Sequence, residues 1–167
     1  MGTPRDFVVT LLLENLQPRT QRGAWHGGPT AAGSLRGVSG KQAVWSPAPG
    51  RKSIWALTLH IAYWKYAVRR RLEGGEGERF PRSPANWPLV PPTPDARAWK
   101  ADIDLLRTEH DLLVSTVSAI AVSDYSKRVS GGKRWSFGEL IVGIAQHDAY
   151  HTGQIQMLKR LWKSRGS

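Results

Sequence analysis

The stretch WSFGELIVGIAQHDAYHTGQI, residues 135–155, carries the strongest structural signal in the chain. Its apolar residues recur at alternating spacings of three and four, which predicts an amphipathic helix. Two histidines, His147 and His151, lie four residues apart within it. Because residues i and i+4 share one face of a helix, one turn apart, both imidazoles can reach the same divalent metal ion.

A histidine pair on one helix supplies only two metal ligands, so the metal hypothesis requires a third. His60, within LTLHIAYW at residues 57–64, is the best candidate because it lies at the edge of another helical apolar stripe. Taken alone, a histidine pair at this spacing is more often a surface or core feature, and the Glu of the helical metalloprotease motif is absent. The three residues together predict a three-histidine metal site inside a helix bundle.

Apolar periodicity and capping residues predict four long helices. They cover about residues 4–17, 53–73, 95–123 and 136–162. Ser53 and Ser136 are suitable N-caps, and Glu139 completes a capping box with Ser136. Residues 30–36 and 38–43 could each form a short helical turn. No alternation typical of β-strands persists, so the predicted fold is all-α.

The segment between the second and third predicted helices, residues 74–95, contains three glycines and six prolines. A loop of this length and composition is typical of a functional loop or a long crossover. In a four-helix bundle such a connection allows two consecutive helices to run parallel. We therefore predict a four-helix bundle with a long crossover between helices 2 and 3, forming a single domain over residues 1–167.

The amino-acid composition excludes several kinds of metal site and of protein. The chain has 167 residues, of which 40% are hydrophobic, and it contains eight tryptophans and no cysteine. Disulfides and thiolate ligands are thereby excluded, so a metal must bind to histidine, carboxylate or water. No run reaches the roughly 18 apolar residues of a membrane span, and the apolar run at residues 7–13 lacks the features of a signal peptide. We expect a soluble, cytoplasmic protein without membrane association.

The formal net charge is +11. Such a charge attracts nucleic acid, anionic lipid or acidic small molecules. The cations are spread out, however, and the groups at residues 69–71 and 159–165 end predicted helices, where cations complement the helix dipole without any partner. The charge therefore gives little support to a nucleic-acid function, and weak support to an anionic substrate.

The two histidine motifs together resemble the DinB/YfiT-like superfamily of metal-dependent enzymes. In that family one histidine lies early in the second helix, and the pattern His-x-x-x-His-x-Gly-Gln-[Ile/Leu] lies in the last helix of the core bundle. LTLHIAYW at residues 57–64 and HDAYHTGQI at residues 147–155 match both motifs. The resemblance implies that His60, His147 and His151 bind the metal, in a bundle with a long crossover that frequently forms a homodimer.

Three neutral imidazoles suit several metals. Zn²⁺ binds imidazole nitrogen at about 2.0–2.1 Å, and three protein ligands leave a fourth position for water or substrate. Ni²⁺ and Fe²⁺ accept the same ligands, so the choice among Zn, Ni and Fe stays open. Because neutral ligands leave the charge of the ion uncompensated, the fourth position favours an anionic ligand or ionised water.

Four neighbours of the histidines have predicted roles with plainer alternatives. Asp148 could orient an imidazole or act as a general base, and a salt bridge to an arginine is an equal alternative. Gln154 lies within a turn of Tyr150 and His151 and could hydrogen-bond a ligand of the site. Tyr63 and Tyr150 fit core aromatics better than proton donors.

Two further histidines lie outside the three-histidine set. His26 lies in a glycine-rich stretch, residues 23–29, that could close over the site, and loop residues of this kind often carry function. His110 lies in the apolar seam of the third predicted helix. A core histidine with satisfied hydrogen bonds is the better interpretation of His110.

Members of the superfamily that the chain resembles are linked to hydrolysis and to transfer of low-molecular-weight thiols onto electrophiles. We therefore expect a metal-dependent hydrolase or thiol S-transferase, in which the metal activates water or a thiol towards a small substrate. The alternative is a non-catalytic, stress-related bundle whose histidines hold a structural metal or none. The lack of a convincing general base other than Asp148 favours this alternative.

Overall fold

The computed structural model describes residues 4–18, 27–75, 77–129 and 134–165. The helices are α1 (Pro4–Leu16), α2 (Ala31–Ser34), α3 (Gly40–Val44), α4 (Ile54–Leu72), α5 (Ala96–Ala119) and α6 (Phe137–Ser164), with a 3₁₀ turn at Val122–Asp124. These ranges contain no β-strand, so the prediction of an all-α fold with four long helices is confirmed. None of the helices in them is both long and apolar enough to cross a membrane.

The long helices after α1 begin at side chains that accept hydrogen bonds from their first turns. Ser53 caps α4 and Asp95 caps α5. Ser136 and Glu139 form a reciprocal capping box at the start of α6. Each cap satisfies backbone N–H groups that have no partner within the helix. The predicted caps at Ser53 and Ser136 are confirmed.

The end of α5 differs from the prediction. The helix ends at Ala119 and not near residue 123, because Ile120 adopts an extended conformation with φ −74° and ψ 127°. The following residues, Val122–Asp124, form a separate 3₁₀ turn. The β-branched and serine residues here have weak helix propensity, so little opposes this early stop.

Helices α4 and α5 run parallel. Near their starts, the indole Nε1 of Trp55 donates to Oδ2 of Asp102 at 2.7 Å. Near their ends, the hydroxyl of Thr116 donates to Oε1 of Glu73 at 2.7 Å. The paired positions advance in the same direction along both helices. The prediction of a crossover between two parallel helices is therefore confirmed.

Side chains of the two helices anchor the crossover loop, residues 74–95. Arg82 of the loop donates through Nε to Oδ1 of Asp102 at 2.8 Å. The hydroxyl of Tyr66 donates to the backbone carbonyl of Glu78 at 2.8 Å. The buried Asp102 carboxylate accepts from Trp55 of α4 and from Arg82 of the loop, and so joins both to α5.

Replacing Asp102 by Ala should lower the free energy of unfolding by about 2–3 kcal/mol, as measured by urea denaturation. The change leaves the buried Trp55 N–H without an acceptor and Arg82 without its partner. Asp104→Ala on the same helix is the matched control, because Asp104 pairs with the exposed Lys100 and Arg107. Such pairs contribute about 0–1 kcal/mol, and equal losses in the two variants would contradict the prediction.

The bundle core contains two apolar clusters with polar side chains between them. The first cluster includes Leu59, Leu106 and Ile155, and the second includes Leu113 and Ile144. Between them lies a group that we call the polar layer, formed by His60, Lys65, His110, His147, Asp148, His151 and Thr152. Polar groups at this depth are costly unless they are paired, so their contacts indicate where function is located.

Candidate metal centre

His60 from α4 and His147 and His151 from α6 meet within the polar layer. One ring nitrogen from each lies within 4.8 Å of the other two. The Nε2 atoms of His60 and His147 are 3.2 Å apart. The structure thus brings together the three histidines that the sequence predicts as metal ligands.

Hydrogen bonds define the tautomers of two of these rings. Nδ1 of His60 donates to the backbone carbonyl of Asn86 at 2.6 Å. Nδ1 of His151 donates to Oε1 of Gln154 at 2.7 Å. Since each acceptor is an oxygen that carries no proton, Nδ1 carries the proton in both rings and Nε2 keeps its lone pair. Each Nε2 is therefore available as a ligand.

The third ring, His147, is held by packing. Its Nδ1 is buried and has no hydrogen-bond partner within the described residues. Its pKa is lowered to about 3, first by burial and then by the charges of His151, His60 and Lys65. Burial is also the first cause of the lowered pKa values of His60 and His151. All three imidazoles are therefore neutral at pH 7, the form that binds a metal.

These residues fit a divalent ion. Nitrogens on one tetrahedral zinc ion lie about 3.3 Å apart, given bond lengths of about 2.0–2.1 Å, and the Nε2 atoms of His60 and His147 already approach at 3.2 Å. A metal-binding histidine usually donates its other N–H to an oxygen that orients the ring. Asn86 and Gln154 provide that oxygen for His60 and His151.

The crossover loop covers one side of the centre. The Trp87 ring stacks on His60 with centroids 3.7 Å apart and planes 8° apart. Asn86 adopts a left-handed conformation with φ 69°, which asparagine tolerates better than most residues. Its side-chain oxygen accepts from Nε1 of Trp64 at 2.9 Å. The loop therefore fixes the orientation of His60 through both a hydrogen bond and a stacked ring.

Asp148 contacts a lysine and not an arginine. Its Oδ2 accepts a short hydrogen bond from Nζ of Lys65, whose side chain is only 1% exposed. The same Nζ lies 3.2 Å from Nδ1 of His110. His110 therefore has a hydrogen-bond partner, which agrees with its interpretation as a core histidine with satisfied hydrogen bonds. The predicted roles of Asp148 as a general base or as a partner of an imidazole stay predictions.

The remaining predicted site residues have different surroundings. Gln154 contacts the His151 ring directly. Tyr150 is 65% exposed, so its interpretation as a core aromatic is wrong, and its ring centroid is 4.9 Å from that of His151. Tyr63 is half-buried, with its ring 5.5 Å from that of Phe80 in the crossover loop. His26 lies outside the described residues.

Sequence reasoning missed Lys65, Asn86 and Trp87. Lys65 lies four residues after Ile61 and three before Val68, so its position in the apolar stripe was a readable signal. A tryptophan within a proline-rich loop was a second signal. Nothing in the sequence indicates that the Asn86 carbonyl meets His60, because a backbone contact across 26 residues depends on the path of the loop.

A cleft of about 930 Å³ opens beside the centre. Its walls include His147, Trp64, Arg71 and Trp135. The Arg71 guanidinium lies 5.5 Å from the centroid of the Trp64 ring. The cleft is thus mainly apolar, with the Arg71 cation and the His147 ring both on its wall, so a small molecule could reach His147 through it.

The metal-free protein should lose stability as the pH falls from about 6.5 towards 4. The folded pKa of His147, about 3, lies below the unfolded value near 6.5, so the unfolded chain binds more protons in this window. The free energy of unfolding therefore rises with pH there. Urea midpoints in EDTA at pH 7.5, 6 and 5 measure this slope, and His147→Gln should reduce it. A midpoint that does not change between pH 7.5 and 5 would contradict the prediction.

The family model described as the DinB superfamily matches residues 30–155, about three quarters of the chain. The matched region includes α2 to α5, the crossover loop, the three histidines and most of α6. No curated protein and no solved structure matches the chain.

Proposed function

The chain belongs to the DinB superfamily, and from this membership we propose that it is a metal-dependent enzyme acting by hydrolysis or thiol transfer. The observation that carries the proposal is the convergence of three neutral imidazoles, two of them buried and that of His147 half-buried, within 4.8 Å. A divalent ion bound there, Zn, Ni or Fe, supplies Lewis-acid activation of water or of a thiol. The protein itself supplies orientation, an apolar environment and a route for the substrate.

In the proposed centre, some residues would bind the ion and others would orient the residues that bind it. His60, His147 and His151 would hold the ion through the ring nitrogens that face one another. Asn86 and Gln154 would keep two of the rings in the correct tautomer through their hydrogen bonds to Nδ1. Such outer contacts orient metal ligands and raise their basicity.

The cleft beside His147 supports a small substrate with an apolar body and an anionic or electrophilic group. Trp64 and Trp135 offer aromatic surface, and Arg71 offers a guanidinium suited to a carboxylate or phosphate. The net charge of +11 also attracts anions and so supports an anionic substrate. We propose that the substrate enters along this cleft and reaches the centre beside His147.

Metal content and metal-dependent turnover test the proposal. Untagged protein, purified without added metal, should contain about one Zn, Ni or Fe per chain by elemental analysis. Metal-loaded and EDTA-treated protein are then compared for hydrolysis of 4-nitrophenyl acetate and for transfer of cysteine onto 1-chloro-2,4-dinitrobenzene. A metal-dependent rate in either assay supports the proposal. Protein that binds no metal, even in excess ion, contradicts it.

A non-catalytic metal-binding or ligand-binding bundle is the second candidate. The contact between Asp148 and Lys65 favours it, because that carboxylate oxygen is already occupied by a buried ammonium group. The stress-related role expected for such a bundle needs no general base. Stoichiometric metal without turnover in either assay supports this candidate.

Removing the partner of His151 should weaken metal binding. We expect Gln154→Ala to lower the affinity for Zn²⁺ by about tenfold to a hundredfold, the usual range for loss of an outer-shell contact. Competition with a chromophoric chelator measures the constant. Gln156→Ala on the same helix is the control and should leave the affinity unchanged; an unchanged value for Gln154→Ala would show that the Gln154 contact does not matter.

We further propose a cytoplasmic homodimer. Phe7, Val8 and Leu11 on α1 are exposed apolar side chains of the kind found at subunit contacts. Light scattering coupled to size-exclusion chromatography gives the mass in solution. A mass of about 18.6 kDa, that of one chain, at all concentrations would contradict the homodimer.

A further inference from the structure

A second cavity, of about 550 Å³, lies between α1, α2, α5 and α6. None of the three histidines lines it, so it is distinct from the metal centre and from the cleft beside His147. Its polar inner end is formed by Lys65, His110, Asp148 and Thr152 of the polar layer. Neither the family match nor the proposed chemistry gives this cavity a role.

Two polar atoms at the inner end lack partners. Oδ1 of Asp148 and Oγ1 of Thr152 are buried and have no hydrogen bond within the described residues. The two side chains are four residues apart on α6, so they lie one turn apart on the same face. A carboxylate oxygen can only accept, whereas a hydroxyl can both donate and accept. Together they present one acceptor and one donor to a molecule in the cavity.

The charge at the inner end is already balanced. Lys65 pairs with Oδ2 of Asp148 and also contacts Nδ1 of His110. Burial, followed by the charge of Lys65, lowers the pKa of His110, so this ring is neutral at pH 7. A second ammonium would lie close to Lys65, and a second carboxylate would lie close to Asp148. The balance therefore favours a neutral ligand.

The rest of the cavity wall is mainly apolar, and its two further charged residues, Arg107 and Asp111, are opposite in sign. Leu16 of α1, Leu106 of α5 and Ile141 of α6 are buried core residues that line it. Such a wall suits an aliphatic or aromatic body and not a strongly hydrated molecule. Ala149 is an exposed residue that also lines the cavity, and so marks a position where it meets solvent.

We propose that this cavity binds a small neutral molecule with a primary carboxamide group and an apolar body. The amide N–H donates to Oδ1 of Asp148, and the amide carbonyl accepts from the hydroxyl of Thr152. Both unpaired atoms are thereby satisfied, and the apolar body covers Leu106 and Ile141. The site includes none of the three histidines, and its test needs no bound metal.

Three probes of matched length test the site: hexanamide, hexylammonium and hexanoate. Each is titrated into ¹⁵N-labelled protein in the presence of EDTA, so that the presence or absence of a metal does not affect the result. Hexanamide should shift amide signals of α6 around Asp148 and Thr152 and bind at least tenfold more tightly than either charged probe. Failure of hexanamide to bind, as when only water fills the cavity, overturns the proposal. Tighter binding of either charged probe overturns it as well.

Two variants locate the probe. Thr152→Val removes the hydroxyl at constant shape and should weaken hexanamide binding about fivefold to tenfold, the effect of one lost hydrogen bond. Thr108→Val, at an exposed position on α5, should leave binding unchanged. Ala149→Phe places a ring at the exposed edge of the cavity and should abolish binding without disturbing the core. Unchanged hexanamide affinity in Ala149→Phe overturns the proposal, even if Thr152→Val does not fold.

Discussion

His147→Ala should lower the affinity for Zn²⁺ by about a hundredfold to a thousandfold, so that the purified variant contains almost no metal. His147 contributes one of three ligands, and its Nε2 lies 3.2 Å from that of His60. Structural zinc sites in zinc-finger peptides bind the ion with about 10–16 kcal/mol in total, so one ligand of a zinc site accounts for several kcal/mol. Elemental analysis and chelator competition give the two measurements.

His110→Gln is the matched histidine control for the metal measurement. His110 lies in the polar layer but contacts Lys65 and not the three facing imidazoles. The glutamine oxygen can still accept from the ammonium, so the variant should fold and keep its metal. Equal loss of metal from both variants would contradict the three-histidine centre, because it would place the ion elsewhere in the polar layer.

Lys65→Met should lower the free energy of unfolding by about 3–5 kcal/mol. The Lys65 side chain is 1% exposed, and its ammonium pairs with a carboxylate whose side chain is itself largely buried. Removal of one partner leaves the other charge buried and uncompensated, which costs about this much. Urea denaturation at pH 7.5 in EDTA measures the change without any contribution from bound metal.

Two further variants separate charge from packing at Lys65. Lys100→Met is the control, because Lys100 is 78% exposed and its pair with Asp104 lies in solvent; we expect a change of at most about 0.5 kcal/mol. The double variant Lys65→Met/Asp148→Leu removes both charges and should recover much of the lost stability, since apolar replacement of a buried pair is often neutral. A double variant as unstable as Lys65→Met would indicate that packing, and not charge, is the cause.

Local signals made most of the fold predictable. The three- and four-residue spacing of apolar side chains, together with caps such as Ser53 and Ser136, specifies helices without reference to the rest of the chain. The proline-rich composition of residues 74–95 is also a local signal, and it predicted the crossover. The end of α5 was missed because residues 120–123 have no strong stop signal, and weak propensity alone sets no sharp boundary.

The candidate site was predictable only in part, for a physical reason. His147 and His151 share a helix, so their proximity follows from helical geometry alone. The contact between His60 and the Asn86 carbonyl, and that between Lys65 and Asp148, join segments far apart in the chain. Such contacts depend on how the helices and the loop pack, which periodicity does not specify.

The bond from His60 to the crossover loop has a thermodynamic consequence. If the loop holds the His60 ring in the orientation that an ion requires, then the ion must favour the docked loop by the same coupling free energy, because linkage between two equilibria is reciprocal. Amide hydrogen exchange of the loop would then report occupancy of a centre that it covers. A substitution at Trp87, which has no atom suited to bind the ion, would change how tightly the protein retains it. The crossover loop and the metal ligands would then respond to an ion as one cooperative unit.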